Sequence, residues 1–534
     1  MPPGQHSGGF EKLPPEVLEL IFGPFRPTGP VTAPKIYRGL PSIQVGTKHA
    51  ESRAAFASFC RVSKYFHYVA TDYLYRTVHI TDGMELLCFC RTLMEYPDRC
   101  TTIREFSWVG RFQMGLRTPG SSDTPDARLL QSFWAPIASR MRHDPFIADV
   151  TRSVGLTGPD GLIHTWKVLG TVLAILPNVQ SLHFLHASSS ASDTHQALNV
   201  VPRQRDPEED AFWAWMLGAK LETSSDSAPC RRFLQSLERL VLEAQPYDNY
   251  HCPATDELLF ALFACPRSLR RVELNGTTLS DKLPPTVSAA AERVRELVLY
   301  RDFHSADELS RLVESFPNLI SLEAECRDPF VFRRPAPVNP FLALLSLADT
   351  LETLNLTSGL NSWSSVRVWN ALPLLQFLDR MICLKHLTTE SIWLFGNQCF
   401  GQWPPKDVIA LPPSLVSFRL VDYWGVGGKA VRNPATRYYP DFRTWTPIGF
   451  YYHHFSSLQE ERVARLPNFS EFTFVTSWLH LTRASLVTDG PSNEQLLEDA
   501  AEYEEEWRSL FAGAGVRFSV ISSEESRQLF PRLA

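Results

Sequence analysis

The apolar and polar positions of the chain share one dominant pattern, a six-residue phrase of the form apolar-x-x-apolar-x-apolar. Clear copies begin at Val179 (VQSLHF), Leu237 (LERLVL), Leu269 (LRRVEL), Val294 (VRELVL) and Leu319 (LISLEA). Others begin at Leu351 (LETLNL), Leu384 (LKHLTT), Leu415 (LVSFRL) and Phe469 (FSEFTF), with a weaker one at Ile103 (IREFSW). The alternation within each phrase predicts a short strand with one buried face. Three copies follow the same punctuation, Leu176-Pro177-Asn178, Phe316-Pro317-Asn318 and Leu466-Pro467-Asn468, which is no part of the phrase itself. Proline there ends a helix and turns the chain into the strand. Successive starts from Leu237 to Leu415 lie 32, 25, 25, 32, 33 and 31 residues apart, so the period is irregular.

Helical patterns fill the intervals. Ser305 to Glu308 reads as a capping box leading into Leu309, Leu312, Val313 and Phe316 at helix spacing. Glu257 to Ala264 and Pro373 to Met381 also read as apolar-faced helices. Strand, loop, helix and strand again is a βα unit that leaves apolar surface bare until a neighbour stacks on it. Two intervals are too long for one unit. The polar, Pro-containing stretch 187–231 is expected to be a surface excursion, and the aromatic- and Gly-rich stretch 422–464 an ordered loop. At the end, Asn493 to Phe511 predicts a charged amphipathic helix and Val516 to Ile521 a strand, together a cap.

The N-terminal segment has a different character. Leu13-Pro14-Pro15-Glu16-Val17-Leu18-Glu19-Leu20-Ile21-Phe22 predicts a short helix, with prolines in a first turn that tolerates them and Glu16 at the positive end of the dipole. Its apolar surface is too wide for a helix standing alone. Further on come Val62-Ser63-Lys64-Tyr65-Phe66 and Asp72-Tyr73-Leu74-Tyr75-Arg76-Thr77-Val78.

These words resemble an F-box, the adaptor-binding module of cullin-type ubiquitin ligases. Ser63 stands where that family usually has Cys, Phe66 where it usually has Trp, and a Pro- and Gly-rich segment separates the two halves. With the phrases that follow, the whole chain resembles F-box proteins with degenerate leucine-rich repeats. The resemblance implies an α/β fold: a disordered tail at 1–12, a small α-helical F-box at 13–75 with an inserted loop at 26–53, and an irregular leucine-rich-repeat solenoid over 76–534. It also implies a non-catalytic substrate-recognition subunit of an SCF-type E3 ubiquitin ligase. Skp1 would be gripped by Leu13, Pro14, Leu18, Ile21, Phe22, Val62 and Phe66, and would connect to a cullin and a RING protein. The alternative is a ligase-independent leucine-rich-repeat scaffold for protein interaction.

If the leucines of each phrase point inward, the intervening positions form the opposite face of the strands. These are Arg239, Arg271, Glu273, Asn275, Glu296, Glu323, Thr353, Asn355, His386, Arg419 and Glu471. Arg271, Glu273, Glu323, Asn355, Arg419 and Glu471 are the expected contacts to a target protein. Tyr300 and Trp424, just past strand ends, are candidate aromatic anchors.

Composition narrows the remaining classes. A hydrophobic fraction of 44% with 12% aromatic residues supplies a large core. A formal net charge of −6 and the absence of any Lys/Arg run argue against a nucleic-acid surface. The cysteines show no framework spacing, and Cys88-Phe89-Cys90 is not a zinc pair. Gly425-Val426-Gly427-Gly428-Lys429 lacks the spacing and the hydroxyl of a phosphate loop. His164, His183 and His186 are too scattered for a metal site. No metal, cofactor or catalytic residue is expected; a hydrolytic site within Tyr423 to His454 is the remote third reading. No leader-like pattern opens the chain and no run approaches a membrane span, so the expected setting is cytoplasmic, nuclear or both, without membrane contact.

Overall fold

The computed structural model describes residues 17, 20, 22, 43–108, 116–117, 139, 162–163, 165–186, 234–244, 252–253, 268–275, 277–278, 291–300, 313–325, 340–357, 377–395, 411–422, 455, 458, 460, 465–476 and 493–522. They fall into two compact units, Met1–Arg293 and Val294–Ala534. Both are α/β and built on open parallel sheet.

The first unit opens with helices. α1 (Ile43–Phe59) and α2 (Lys64–Arg76) pack on each other. α1 begins inside the stretch 26–53 expected as a loop; its sequence from Ile43 onward has no proline and a single glycine, which permits the helix. Ser63 caps α2, its hydroxyl accepting from the Phe66 amide at 3.1 Å. The serine that departs from the F-box phrase therefore satisfies one of the first-turn donors.

Phe22, at a helical position, has no exposed surface and lies at the centre of an aromatic cluster with Phe56, Phe66 and Ala70. Its ring centroid is 5.8 Å from Phe56, 5.1 Å from Phe59, 6.2 Å from Phe66 and 5.1 Å from Tyr73. Edge-on and tilted rings at these separations add to the stabilisation from burial.

From α2 the chain passes directly into β1 (Thr77–Ile80), then α3 (Gly83–Glu95) and β2 (Glu105–Trp108). Asp82 caps α3 by accepting from the Glu85 amide at 2.8 Å, and Glu85 reaches back to the Thr81 amide at 2.9 Å. The arrangement is close to a capping box, with Glu85 reaching the residue before the cap instead of the cap's own amide. α3 packs against α4 (Thr165–Ala174), burying Leu86, Leu87, Leu93, Val168, Leu169 and Val172. The sheet continues with β3 (Ser181–His186), β4 (Arg239–Ala244) and β5 (Arg271–Asn275), in the order β1-β2-β3-β4-β5 and all parallel.

The second unit carries β6 (Glu296–Tyr300), β7 (Ser321–Glu325), β8 (Thr353–Thr357), β9 (His386–Glu390), β10 (Ser417–Asp422), β11 (Glu471–Thr476) and β12 (Arg517–Ser522). They too pair in chain order, all parallel. Every one of the ten phrases forms a strand that begins at its third position.

The three apolar positions of each phrase are buried. At Leu351, Leu354 and Leu356 the exposures are 0%, 0% and 2%. Register stacks like positions, so Leu297, Leu322, Leu354, Leu387, Phe418, Phe472 and Phe518 form one continuous apolar row. The backbone closes the turn before each strand in a repeated way. The Ile320 carbonyl accepts from both Glu352 and Thr353, and the Glu352 carbonyl in turn accepts from Lys385 and His386.

Between strands the expected α-helices are not uniform. The described part of the stretch 373–381 is a single 3-10 turn, Leu378–Arg380, and Pro340–Leu347 is also 3-10. A one-turn helix, α5 (Ser391–Phe395), follows β9 directly. The stretches 187–231 and 305–312, the helix expected at 257–264, and most of 422–464 lie outside the described residues.

The helix and the strand expected from Asn493 onward are both present. α6 (Asn493–Gly513) packs against β12. The Val516 amide donates to the Phe511 carbonyl and the Gly515 amide to that of Ala512, with Gly515 at φ +72°. This is a Schellman stop, whose left-handed residue favours glycine. Phe455, Phe472, Phe474, Trp507, Phe511 and Phe518 form a buried aromatic cluster beneath it.

Phe22→Ala should cost about 3–5 kcal/mol in the helical module, whereas Leu20→Ala should change stability by less than about 0.5 kcal/mol. Phe472→Ala should cost a similar amount, about 3–5 kcal/mol, in the second unit. Urea unfolding of the full chain, followed by limited proteolysis to locate the loosened segment, checks all three.

Candidate functional site

Parallel register lines up the polar positions of the strands as well as the apolar ones. In the first unit, Thr77, Glu105, Ser181, Arg239 and Arg271 form one row, and His79, Ser107, His183, Val241 and Glu273 form the next. In the second unit, Glu296, Ser321, Thr353, His386, Ser417, Glu471 and Arg517 form one row. Val298, Glu323, Asn355, Thr388, Arg419, Thr473 and Ser519 form its neighbour.

The two pairs of rows differ chemically. Hydroxyls are the commonest group in the second unit's polar rows, most of them half-buried. His386 Nδ1 lies 2.8 Å from the Ser417 hydroxyl, and Thr473 and Ser519 hydroxyls are 3.1 Å apart. Glu471 pairs with Arg517 at 3.3 Å, both well exposed. Exposed pairs of this kind contribute little to stability.

In the first unit the rows are tighter. Ser107 lies 3.1 Å from His79 Nδ1 and 3.0 Å from His183 Nδ1, and both Ser107 and His183 are buried. A hydroxyl has one proton, so it donates to one ring and accepts an N–H from the other.

Glu273, only 3% exposed, receives the Nε–H of Arg239 at 2.8 Å and of Arg271 at 2.6 Å on the same oxygen. Burial opposes ionisation of Glu273, but the two guanidinium groups outweigh it and hold the carboxyl below its ordinary range. Glu105 behaves oppositely. Burial pushes its carboxyl up, against the more distant pull of Arg239 and Arg76.

Thr77, Glu105, Ser107, Ser181, His183 and Arg239 line a shallow depression of about 10 Å³. That is near the lower bound for one water and far below the few hundred Å³ of a small-molecule pocket. Among the described residues no three His, Cys, Asp or Glu side chains gather as a metal site. Cys90 is buried beside Cys100, and burial pushes its thiol up to about 12, so it serves as a small apolar side chain.

The expected target contacts are thus brought together in part. Arg271 and Glu273 form the ionic cluster of the first unit, joined by Arg239. Glu323, Asn355 and Arg419 share one row of the second unit, and Glu471 lies in the row beside it. Tyr300 ends β6 with its side chain outside the described residues, and Trp424 also lies outside them, as does the side chain of Asn275.

The expected Skp1 contacts divide. Phe22 and Phe66, 0% and 7% exposed, belong to the module's own core rather than to its surface, because α1 supplies Phe56 and Phe59 to cover them. Val62 is 65% exposed, and Leu20, which is not among the expected contacts, is 77% exposed. Leu13, Pro14, Leu18 and Ile21 lie outside the described residues. Glu105, Ser107 and His79 are further members of the site that sequence reasoning does not single out. The phrase at Ile103 marks the strand that carries Glu105 and Ser107, but no phrase marks His79.

No protein-family model matches the chain, and no curated protein sequence matches it. No helix among the described residues is long and apolar enough to cross a membrane.

The two carboxyls predict opposite pH behaviour. Glu273, lowered in the folded chain, contributes stability above the unfolded value near pH ~4.3 and loses it as the pH falls through the folded value. Glu273→Gln should therefore destabilise by about 2 kcal/mol at pH 7, and the deficit should shrink towards about pH 3. Glu105, raised on folding, favours the folded state most below the unfolded value and loses that contribution as the pH rises. Glu105→Gln should stabilise at pH 7 and make no difference in acid. Urea midpoints of the two variants across that range check the signs.

Proposed function

We propose that this chain is the substrate-recognition subunit of an SCF-type E3 ubiquitin ligase. On this reading the N-terminal helical module docks Skp1, which connects to a cullin and a RING protein, and the repeat strands hold a target protein. The module is an F-box and the strands that follow are an irregular leucine-rich-repeat solenoid. The chain contributes proximity between target and ubiquitin donor, and its own side chains make or break no bond. The setting is the cytoplasm, the nucleus or both.

One observation carries the docking half. Leu20 and Val62 are large apolar side chains left 77% and 65% exposed on a module whose aromatic core is already complete. Tyr68, on α2, is 71% exposed as well. Such side chains are the anchors by which a helix face enters an apolar groove, each worth about 1.5–3 kcal/mol once covered. The phrases LPPEVLELIF and VSKYF supply the identity of the partner, by resemblance. The target half rests on the polar rows, whose mixed charge and hydroxyls suit a protein surface better than a nucleic acid.

Full-length chain co-expressed with Skp1 and cullin should bring down both. Leu20→Asp with Val62→Asp should abolish that capture while leaving the urea midpoint unchanged, as should Leu13→Asp with Pro14→Ala. Absence of Skp1 from the wild-type complex, or full capture by either double variant, overturns the assignment.

A further inference from the structure

On the polar face of the second unit, Ser321 on β7 stands in register with Thr353 on β8, and Asn355 on β8 with Thr388 on β9. All four are half-buried. Among the described residues their side chains make no hydrogen bond with the rest of the chain. The carbonyl oxygen of Asn355 is sealed from solvent, which leaves its amide nitrogen as the polar end that faces outward. The three hydroxyl oxygens are not sealed in this way.

The patch itself is uncharged. Its longer row runs Glu323, Asn355, Thr388, Arg419, with one acid and one base at the two ends. Both end groups have partners of their own. Beside Thr353, His386 is turned to the Ser417 hydroxyl at 2.8 Å. A charged group set on Asn355 and Thr388 would lose water and gain no close counter-charge. A neutral group that donates and accepts hydrogen bonds loses less and finds partners, because hydroxyls do both and the amide nitrogen donates.

We propose that this patch is a subsite for a side-chain carboxamide of the bound target, an Asn or Gln in an uncharged segment lying across β7 to β9. The carboxamide oxygen accepts from the Asn355 amide, and its NH2 group donates to the Thr388 and Thr353 hydroxyls, with Ser321 extending the row. Neighbouring strands lie about 4.8 Å apart, so these groups are within reach of one side chain. A carboxamide has two N–H protons for the waiting hydroxyls, whereas a target hydroxyl or main-chain amide has a single one. The subsite rests on the reading that the strand face holds the target.

The test selects a displayed library of random dodecapeptides against the full-length chain and measures one selected peptide by fluorescence anisotropy. Asn and Gln should be enriched over the unselected library. Replacing the key carboxamide of the peptide by the matching acid, or by alanine, should weaken binding at least about tenfold. Thr353→Val and Thr388→Val keep the branched shape that suits a strand and remove only the hydroxyl. Each should weaken binding about three- to tenfold, while Thr388→Ser should stay within about twofold of the unaltered chain. Raising NaCl from about 0.05 to 0.5 M should change the affinity less than about twofold, since no charge pair is involved. The peptide substitutions keep the test decisive even where a protein variant misfolds.

A selection without carboxamide enrichment, or with no binding peptide, overturns the subsite. Equal affinity for the carboxamide and acid peptides overturns it, as does unchanged affinity in both valine variants. A loss of more than about tenfold on adding salt marks a charged contact and overturns it as well. Skp1 capture is scored separately. Its loss with carboxamide preference intact removes only the ligase assignment, and its presence without that preference removes only the subsite.

Discussion

A strand with leucines on one face cannot stand alone, and that constraint organises both units. Leu319, Leu322 and Ala324, or Leu384 and Leu387, are sealed only because the next strand arrives in parallel and in register. The repeated double acceptance by one carbonyl, as at Glu352 or Lys385, sets that register before the strand begins. A slip of one residue would turn every buried leucine outward and every polar position inward. Among the described residues β12 pairs with no further strand, and α6 and the aromatic cluster pack against it.

The same register that stacks leucines also stacks whatever lies between them. Sequence-distant groups such as His79, Ser107 and His183 become neighbours at strand spacing because each occupies the same place in its own strand. In the second unit this yields open rows in which hydroxyls predominate. In the first it yields a buried ionic cluster whose desolvation is offset only because one carboxylate serves two guanidinium groups. Such a cluster is a weak stabiliser, and its value lies in fixing where the arginines stand.

The helical module obeys a separate logic. Its core is aromatic rather than aliphatic, with Phe22 meeting four rings drawn from α1 and α2. Ala70, Val69 and Leu74 pack against those rings. Leu20, two residues away on the same helical stretch, is left facing outward with Val62 in the turn between α1 and α2.

The strands were the legible part. Each phrase repeats locally, and alternation depends only on the chain's own geometry, so ten strands and the helix–strand cap could be read from residue types alone. The row Glu323–Asn355–Arg419 and the same-face pair Arg271 and Glu273 followed from the same rule. Other features depended on which element covers which. Periodicity marked Phe22 and Leu20 alike as apolar, and only the arrival of α1, in a stretch rich in polar residues, made one core and the other surface. Of the helix expected at Pro373 to Met381, the described part is the 3-10 turn Leu378–Arg380. The raised carboxyl of Glu105 and the shared oxygen of Glu273 were invisible in sequence, because burial and charge pairing belong to neighbours that are far apart along the chain.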